Sequence, residues 1–136
     1  MRVVFDTNIF VSAFAIPGGN AEEAYLQAVR GTFELLTSVA ILTETAQVLQ
    51  VKFDWSHEKV QELLRAIGLV ATVLKTEPTL HILRDDPDNR ILECAQLGRA
   101  DVIVTGDRHL LALQRHQETR VVTLAEFLIS FREERP

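Results

Sequence analysis

Residues 101–107, Asp101-Val102-Ile103-Val104-Thr105-Gly106-Asp107, set a short β-branched run directly before a threonine, a glycine and an acid. Val-Ile-Val suits a strand buried in a sheet. Gly106 permits a tight turn, and Asp107 stands where the chain leaves the strand. The same order opens the protein, where Arg2-Val3-Val4-Phe5 runs into Asp6-Thr7-Asn8. If the two strands are neighbours, Asp6 and Asp107 face one cleft.

Between these strands, apolar runs alternate with amphipathic stretches. Thr7 to Phe14 reads as a short helix and Ile16-Pro17-Gly18-Gly19-Asn20 as a loop. Ala21 to Arg30 reads as a helix with Asn20 as N-cap and Gly31 as C-cap. Phe33 to Leu36 and Leu69 to Leu74 read as strands. Ser38 and Ser56 are placed to cap helices that run to about Lys52 and Gly68. His81 to Asp86 is turn-rich, and Asp88 to Leu97 reads as a helix closed by Gly98. Arg108 to Arg115 is then a helix, Arg120 to Val122 a strand, and Leu124 to about Glu133 a last helix. Strands separated by helices imply a mostly parallel sheet covered on both faces. Such sheets bind ligands outside the carboxyl ends of their strands, at a switch in strand order.

That rule makes four acids candidates for chemistry, and each also has a plain structural reading. Asp6 can cap the helix that follows it, and Asp107 can cap the helix at Arg108. Asp88 opens a helix within Asp85-Asp86-Pro87-Asp88-Asn89-Arg90, where the helix dipole favours acids. It precedes Leu92 by four and Ala95 by seven, which places it on their inward face; Asp85 and Asp86 read as turn residues. Glu44 falls within an apolar stripe of Ile41, Val48 and Val51, where a carboxylate is costly unless it is paired, metal-bound or able to reach solvent. Acids gathered in one cleft repel each other and need cations. All-oxygen ligation suits Mg2+ or Mn2+ rather than zinc. His57, His81, His109 and His116 lack zinc-ligand spacing, and Cys94 stands alone. Metal ions held by carboxylates activate water and neutralise phosphate charge, so a phosphodiester is the expected substrate.

The bulk properties fit this reading. The length of 136 residues suits one domain, 1–136, around one core. Apolar residues make up 47%, as in a globular protein. A single cysteine excludes an intrachain disulfide and points to a reducing, cytoplasmic compartment. No apolar run approaches the roughly 18 residues of a membrane span, and the acid at position 6 is foreign to a secretory signal. A net charge of −5 argues against binding nucleic acid through bulk positive charge, but not through metal ions. Arg90, Arg99, Arg108 and His109 lie near the expected cleft, either to hold phosphates or as ordinary solvated charges.

The ordered set of Val3-Val4-Phe5-Asp6-Thr7-Asn8, Thr43-Glu44, Asp85 to Ala95, Ala100 to Leu111 and Val122 to Leu128 resembles the PIN domain along essentially the whole chain. The resemblance is to PIN proteins grouped with toxin–antitoxin toxins, relatives of the VapC-type ribonucleases. It implies a three-layer α/β/α sandwich around a mostly parallel sheet of about five strands, holding one or two Mg2+ or Mn2+ ions. By matching position, Asp6, Asp88 and Asp107 would be metal ligands, and Glu44 would hold a second ion or position water. Asn8 and Thr105 would orient the acids. The implied activity is hydrolysis of RNA to 5′-phosphate and 3′-hydroxyl ends. The implied partners are a small antitoxin that blocks the site and, often, a second copy in a homodimer. Three alternatives compete. A PIN-like RNA-binding or regulatory module would share the fold without the catalysis. A phosphoacceptor receiver domain would need an acid beside Asp6 and a late lysine, and a haloacid-dehalogenase-like phosphatase would need an acid where Asn8 stands.

Overall fold

A computed structural model of the protein describes residues 1–134. In chain order these form β1 (Arg2–Phe5), α1 (Thr7–Ala15), α2 (Asn20–Val29), β2 (Glu34–Ser38), α3 (Val39–Phe53), α4 (His57–Val70), β3 (Thr72–Leu74), α5 (Asp86–Gly98), β4 (Val102–Val104), α6 (Arg108–Leu111), β5 (Arg115–His116), β6 (Thr119–Val122) and α7 (Leu124–Glu134). Among the described residues the strands form one sheet in the order β3-β2-β1-β4-β6-β5. All neighbours pair in parallel except β5 and β6, which are antiparallel. The mostly parallel sheet expected from the sequence is present, with six strands rather than about five.

Helices cover both faces. Phe5 packs edge-on against Phe10 of α1 and Phe127 of α7, with ring centroids 5.6 and 6.2 Å apart. Each such pair adds roughly 0.5–1.5 kcal/mol beyond the area it buries. Leu36 pairs in register with Val4, so it points to the face opposite Phe5. There it meets α5, where a Cβ built on Gly98 would lie only 2.6 Å from the Leu36 Cδ1 and 2.9 Å from the Leu74 Cδ1. Gly98 is therefore glycine so that the helix can approach the sheet. The end of α5 is made instead by Arg99, at φ 51°.

Several boundaries differ from the sequence reading. Leu69 and Val70 belong to the end of α4 rather than to a strand, and Leu69 is 90% exposed. The Leu69–Leu74 run is apolar without being buried, and only Thr72–Leu74 finds a partner in β2. The helix expected from Arg108 to Arg115 ends at Leu111. Gln114 takes a left-handed φ of 59°, and the chain returns as the hairpin of β5 and β6. Gly19, not Asn20, is the residue before α2, and Asn20 is its first helical residue. The two serine caps stand as expected: Ser38 accepts from the Ile41 amide at 3.2 Å and Ser56 from the Lys59 amide at 3.1 Å. Each such cap is worth about 1 kcal/mol.

The stripe on α3 is also different. Its buried residues are Ile41, Thr45 and Leu49, while Val51 is 77% exposed. At about 100° per residue, Val51 stands roughly 120° around the helix from Thr45, and Glu44 about 100° on the same side. Glu44 therefore lies on the half-buried shoulder of the helix, not in its packing stripe.

Candidate active site

The site grows from the pairing of β1 with β4. Phe5 lies opposite Val104, and the Asp6 amide extends the ladder by donating to the Val104 carbonyl at 3.0 Å. The order of connection switches here: the chain steps from β1 to β2 and β3 on one side, then returns to lay β4 on the other. A crevice at the carboxyl ends of the strands is expected at such a point. Asp6 and Thr105 are the first residues beyond these two strands, and Asp107 follows two residues later.

Thr105 ties the two acids together. It is fully buried, and its hydroxyl donates to Asp6 Oδ2 at 2.6 Å while accepting from the Asp107 amide at 3.0 Å. The Thr105 amide itself donates to the Val122 carbonyl of β6 at 3.0 Å, which fixes the threonine in the sheet. Asp107 caps α6, with Oδ1 accepting from the amides of His109 and Leu110 at 2.7 and 3.2 Å. Asp6 precedes α1 but makes no side-chain capping bond. Capping thus accounts for Asp107's Oδ1 but not for the burial of Asp6.

Asp88 enters from α5, in its first turn, as a buried residue. Its Oδ2 is buried without a hydrogen-bond partner. Burial pushes its carboxyl up to about 6, and the charges of Asp107, Asp6 and Asp85 push the same way, with only His109 opposing. Asp6 is likewise held above its ordinary value, first by burial and then by the charge of Asp107. The Thr105 hydrogen bond and the nearby amides of Asn8 and Thr7 pull it back down. The charges of Asp107 and Asp6 thus reach the buried Asp88, and that of Asp107 reaches the buried Asp6. An unpartnered carboxylate oxygen there costs on the order of 1–3 kcal/mol or more. This all-oxygen group has the chemistry to accept a hard divalent cation. Among the described residues, however, no three His, Cys, Asp or Glu side chains come close enough to enclose a metal ion directly.

The other sequence candidates stand apart in different degrees. Glu44 lines a cavity of about 170 Å3 with Thr7, Ala40, Ile41, Asp86, Pro87 and Arg90. Its charge is not among those acting on Asp6 or Asp88. Asn8 is exposed and acts on Asp6 through its backbone amide. Arg90 is committed elsewhere: its Nε lies 2.7 Å from Glu93 Oε1, and its Nη2 donates to the Leu80 carbonyl at 3.0 Å. Arg99 lies near the far end of α5, beside a cavity of about 460 Å3 that contains none of the four acids.

Sequence reasoning missed the device that builds the remaining wall. Asn89, fully buried, accepts at Oδ1 from the amides of Ile82 and Leu83 and donates from Nδ2 to the Leu83 carbonyl. Glu93, one turn further along α5, accepts from the Leu80 amide at 2.8 Å. These two side chains fasten the segment before α5 onto the helix. Their i, i+4 spacing on the inward face of α5 is the sequence signal that marks them. Beyond the fastened stretch, Leu83, Arg84, Asp85, Asp88 and His109 line a cleft of about 450 Å3.

A sequence model of the PIN domain matches residues 2–109. The chain belongs to the PIN domain family. The matched stretch runs from β1 to the first turn of α6 and holds all four acids. An uncharacterised protein of Methanocaldococcus jannaschii is 27% identical over 118 residues, which cover 84% of this chain and 76% of that relative. Among solved structures, a chain of the VapBC2 complex of Rickettsia felis, crystallised with a DNA fragment from its promoter, has the same fold. It gives a TM-score of 0.58 at 18% identity, over 90% of this PIN chain and 98% of that chain.

Proposed function

We propose that this PIN protein is a metal-dependent endoribonuclease whose Mg2+ or Mn2+ is held by Asp6, Asp88 and Asp107. The observation that carries the reading is the buried, unpartnered Oδ2 of Asp88 in a corner shared with two other carboxylates. A folded chain tolerates such repulsion most readily where a cation relieves it. When bound, the ion would ease deprotonation of water and neutralise charge on phosphate oxygens. The chain's own residues do the positioning. Thr105 fixes Asp6 Oδ2, the α6 amides fix Asp107 Oδ1, and α5 carries Asp88 into the corner. Mg2+ keeps several waters and is often gripped by only one or two carboxylates, which suits acids that do not close tightly round one point. Glu44, which lines a cavity with Thr7 and Asp86, would act through water or a second ion.

The fold shared with the VapBC2 chain supports a small protein partner of antitoxin type for this chain. It also makes a toxin role the natural biological setting. The second reading is a PIN-like RNA-binding or regulatory module without catalysis. It draws on the absence, among the described residues, of a closed metal-binding trio.

Cleavage of a panel of RNAs with Mn2+ separates the two. The wild type should cleave, and Asp6→Asn should abolish cleavage while leaving the circular dichroism spectrum unchanged. Full Mn2+-dependent cleavage by the Asp6→Asn protein would sink the assignment. A wild type inert towards every RNA would favour the regulatory module.

A further inference from the structure

Asp6, Asp107 and Asp88 are not held in the same way. Asp6 and Asp107 each accept hydrogen bonds at the carboxylate itself, from the Thr105 hydroxyl and from the α6 amides. Asp88 has a buried Oδ2 that no donor meets. Its aim therefore depends on the backbone that carries it, the turn from Leu83 to Asn89 at the entrance to α5. Asn89 closes that turn. Its Oδ1 accepts from the amides of Ile82 and Leu83 at 3.1 and 2.8 Å, and its Nδ2 donates to the Leu83 carbonyl at 2.8 Å. Within the loop so closed, the amides of Asp88 and Asn89 both donate to the Asp85 carbonyl, at 3.1 and 3.4 Å. Among the described residues, the backbone of residues 80–84 makes no hydrogen bond to other main-chain groups. Its hydrogen bonds go to side chains of α5 instead. Asparagine is a weak helix former, yet this one stands fully buried near the start of a helix. Its side-chain amide carries an acceptor and a donor on separate arms, as holding both polar groups of one residue requires.

We infer that Asn89 is the positioning residue of the Asp88 carboxylate: by clamping the turn that carries Asp88, it sets where that carboxylate meets a divalent cation. It touches neither the cation nor the substrate. Thr105 serves Asp6 directly, through a hydrogen bond to the carboxylate; Asn89 serves Asp88 through the main chain. A clamp that merely stabilised the fold would be equivalent to the one at Glu93. That side chain accepts from the Leu80 amide and pairs with Arg90, outside the loop from Leu83 to Asn89.

The role rests on the metal-binding reading of the three acids, and the experiment separates the two. Mn2+ binding to the full chain would be followed by the electron paramagnetic resonance signal of free Mn2+, a readout independent of cleavage. The proteins compared are wild type, Asp88→Asn, Asn89→Leu, Asn89→Ser and Glu93→Gln, with urea unfolding of each metal-free protein alongside. Asn89→Leu should weaken Mn2+ binding about tenfold, as loss of a group that orients a metal ligand does. Asn89→Ser puts donor and acceptor on one short arm and should weaken binding about threefold or more; it carries the test if the leucine variant does not fold. Glu93→Gln removes the ion pair with Arg90 and should destabilise the fold, yet bind Mn2+ within about twofold of wild type. In RNA cleavage the Asn89 variants should need more Mn2+ for half the maximal rate, with the rate at saturating Mn2+ changed less than about threefold. Wild-type Mn2+ affinity in the folded Asn89 variants, with affinity lost in Asp88→Asn, would overturn the inference and leave the metal reading intact. Equal losses in Asn89→Leu and Glu93→Gln would also overturn it, by reducing Asn89 to a fold-stabilising role. A wild type that binds no Mn2+ would overturn both, whereas Mn2+ binding with the expected pattern but no RNA cleavage would remove the nuclease reading alone.

Discussion

Replacing Asp88 by asparagine should make the metal-free protein more stable at neutral pH, and the size of the gain follows from the geometry. The Asp88 carboxyl titrates near 6, against an ordinary value of 3.8, mainly because it is buried and secondarily because Asp107, Asp6 and Asp85 surround it. A shift of about two units corresponds to roughly 3 kcal/mol at 1.36 kcal/mol per unit. The residue is 8% exposed, but it borders an open cleft in which water screens the charge, so about 1–2 kcal/mol is the reasonable expectation. The sign is opposite to that of a salt-bridged acid. With a raised folded pKa, the native state binds its proton more tightly than the unfolded chain does. This group's share of stability is therefore full below about pH 4, falls as pH rises to about 6, and stays lost above it. Asp6, also raised, acts in the same direction. The assay is urea unfolding from pH 4 to 8 in a chelator, for wild type and Asp88→Asn. Their difference isolates Asp88. It should be near zero at pH 4 and reach 1–2 kcal/mol in favour of the variant at pH 8, equivalent to about 3–8 °C in Tm. Added Mg2+ should stabilise the wild type and close the gap, because a ligand that binds only the folded state stabilises it by mass action. A variant no more stable than wild type at pH 8 would refute the argument that this carboxylate is held under strain.

Two further substitutions separate positioning from packing. Thr105→Val keeps the shape of a fully buried side chain but removes the hydroxyl that donates to Asp6; cleavage should fall about 10–100-fold and Mn2+ affinity weaken, as measured by activity against metal concentration. Gly98→Ala would push a methyl group to 2.6 Å from the Leu36 Cδ1 and should cost about 1–3 kcal/mol in urea unfolding, while the metal affinity of the remaining folded protein stays unchanged.

Much of this structure is legible in the chain because the signals are local. Val3-Val4-Phe5 and Val102-Ile103-Val104 are strands because such runs have little choice when buried, and Ser38 and Ser56 cap helices because their hydroxyls reach the next turn. The juxtaposition of Asp6 and Asp107 was inferable only on condition that their strands were neighbours, which the pairing of Phe5 with Val104 supplies. Elsewhere the sequence misleads where tertiary partners decide. Leu69 and Val51 look like core residues and are exposed, because among the described residues nothing covers their side of α4 and α3. The two residues of β5 carry no strand signal of their own; they are a strand only because β6 offers an edge. The fastening of the segment before α5 by Asn89 and Glu93 went unread because its partners are backbone groups, which carry no letter in a sequence.

The hydrogen bond from the Thr105 amide to the Val122 carbonyl also bears on how this protein can be shortened. The stretch recognisable as a PIN domain stops at residue 109, and a clone trimmed to that stretch would look complete on paper, with every acid retained. It would nevertheless lack β6. β4 would become the outer strand, Thr105 would lose the anchor that aims its hydroxyl at Asp6, and the apolar side chains that Val121, Val122 and Phe127 cover would meet water. The part of the protein that carries the four acids ends sooner than the part that holds them in place.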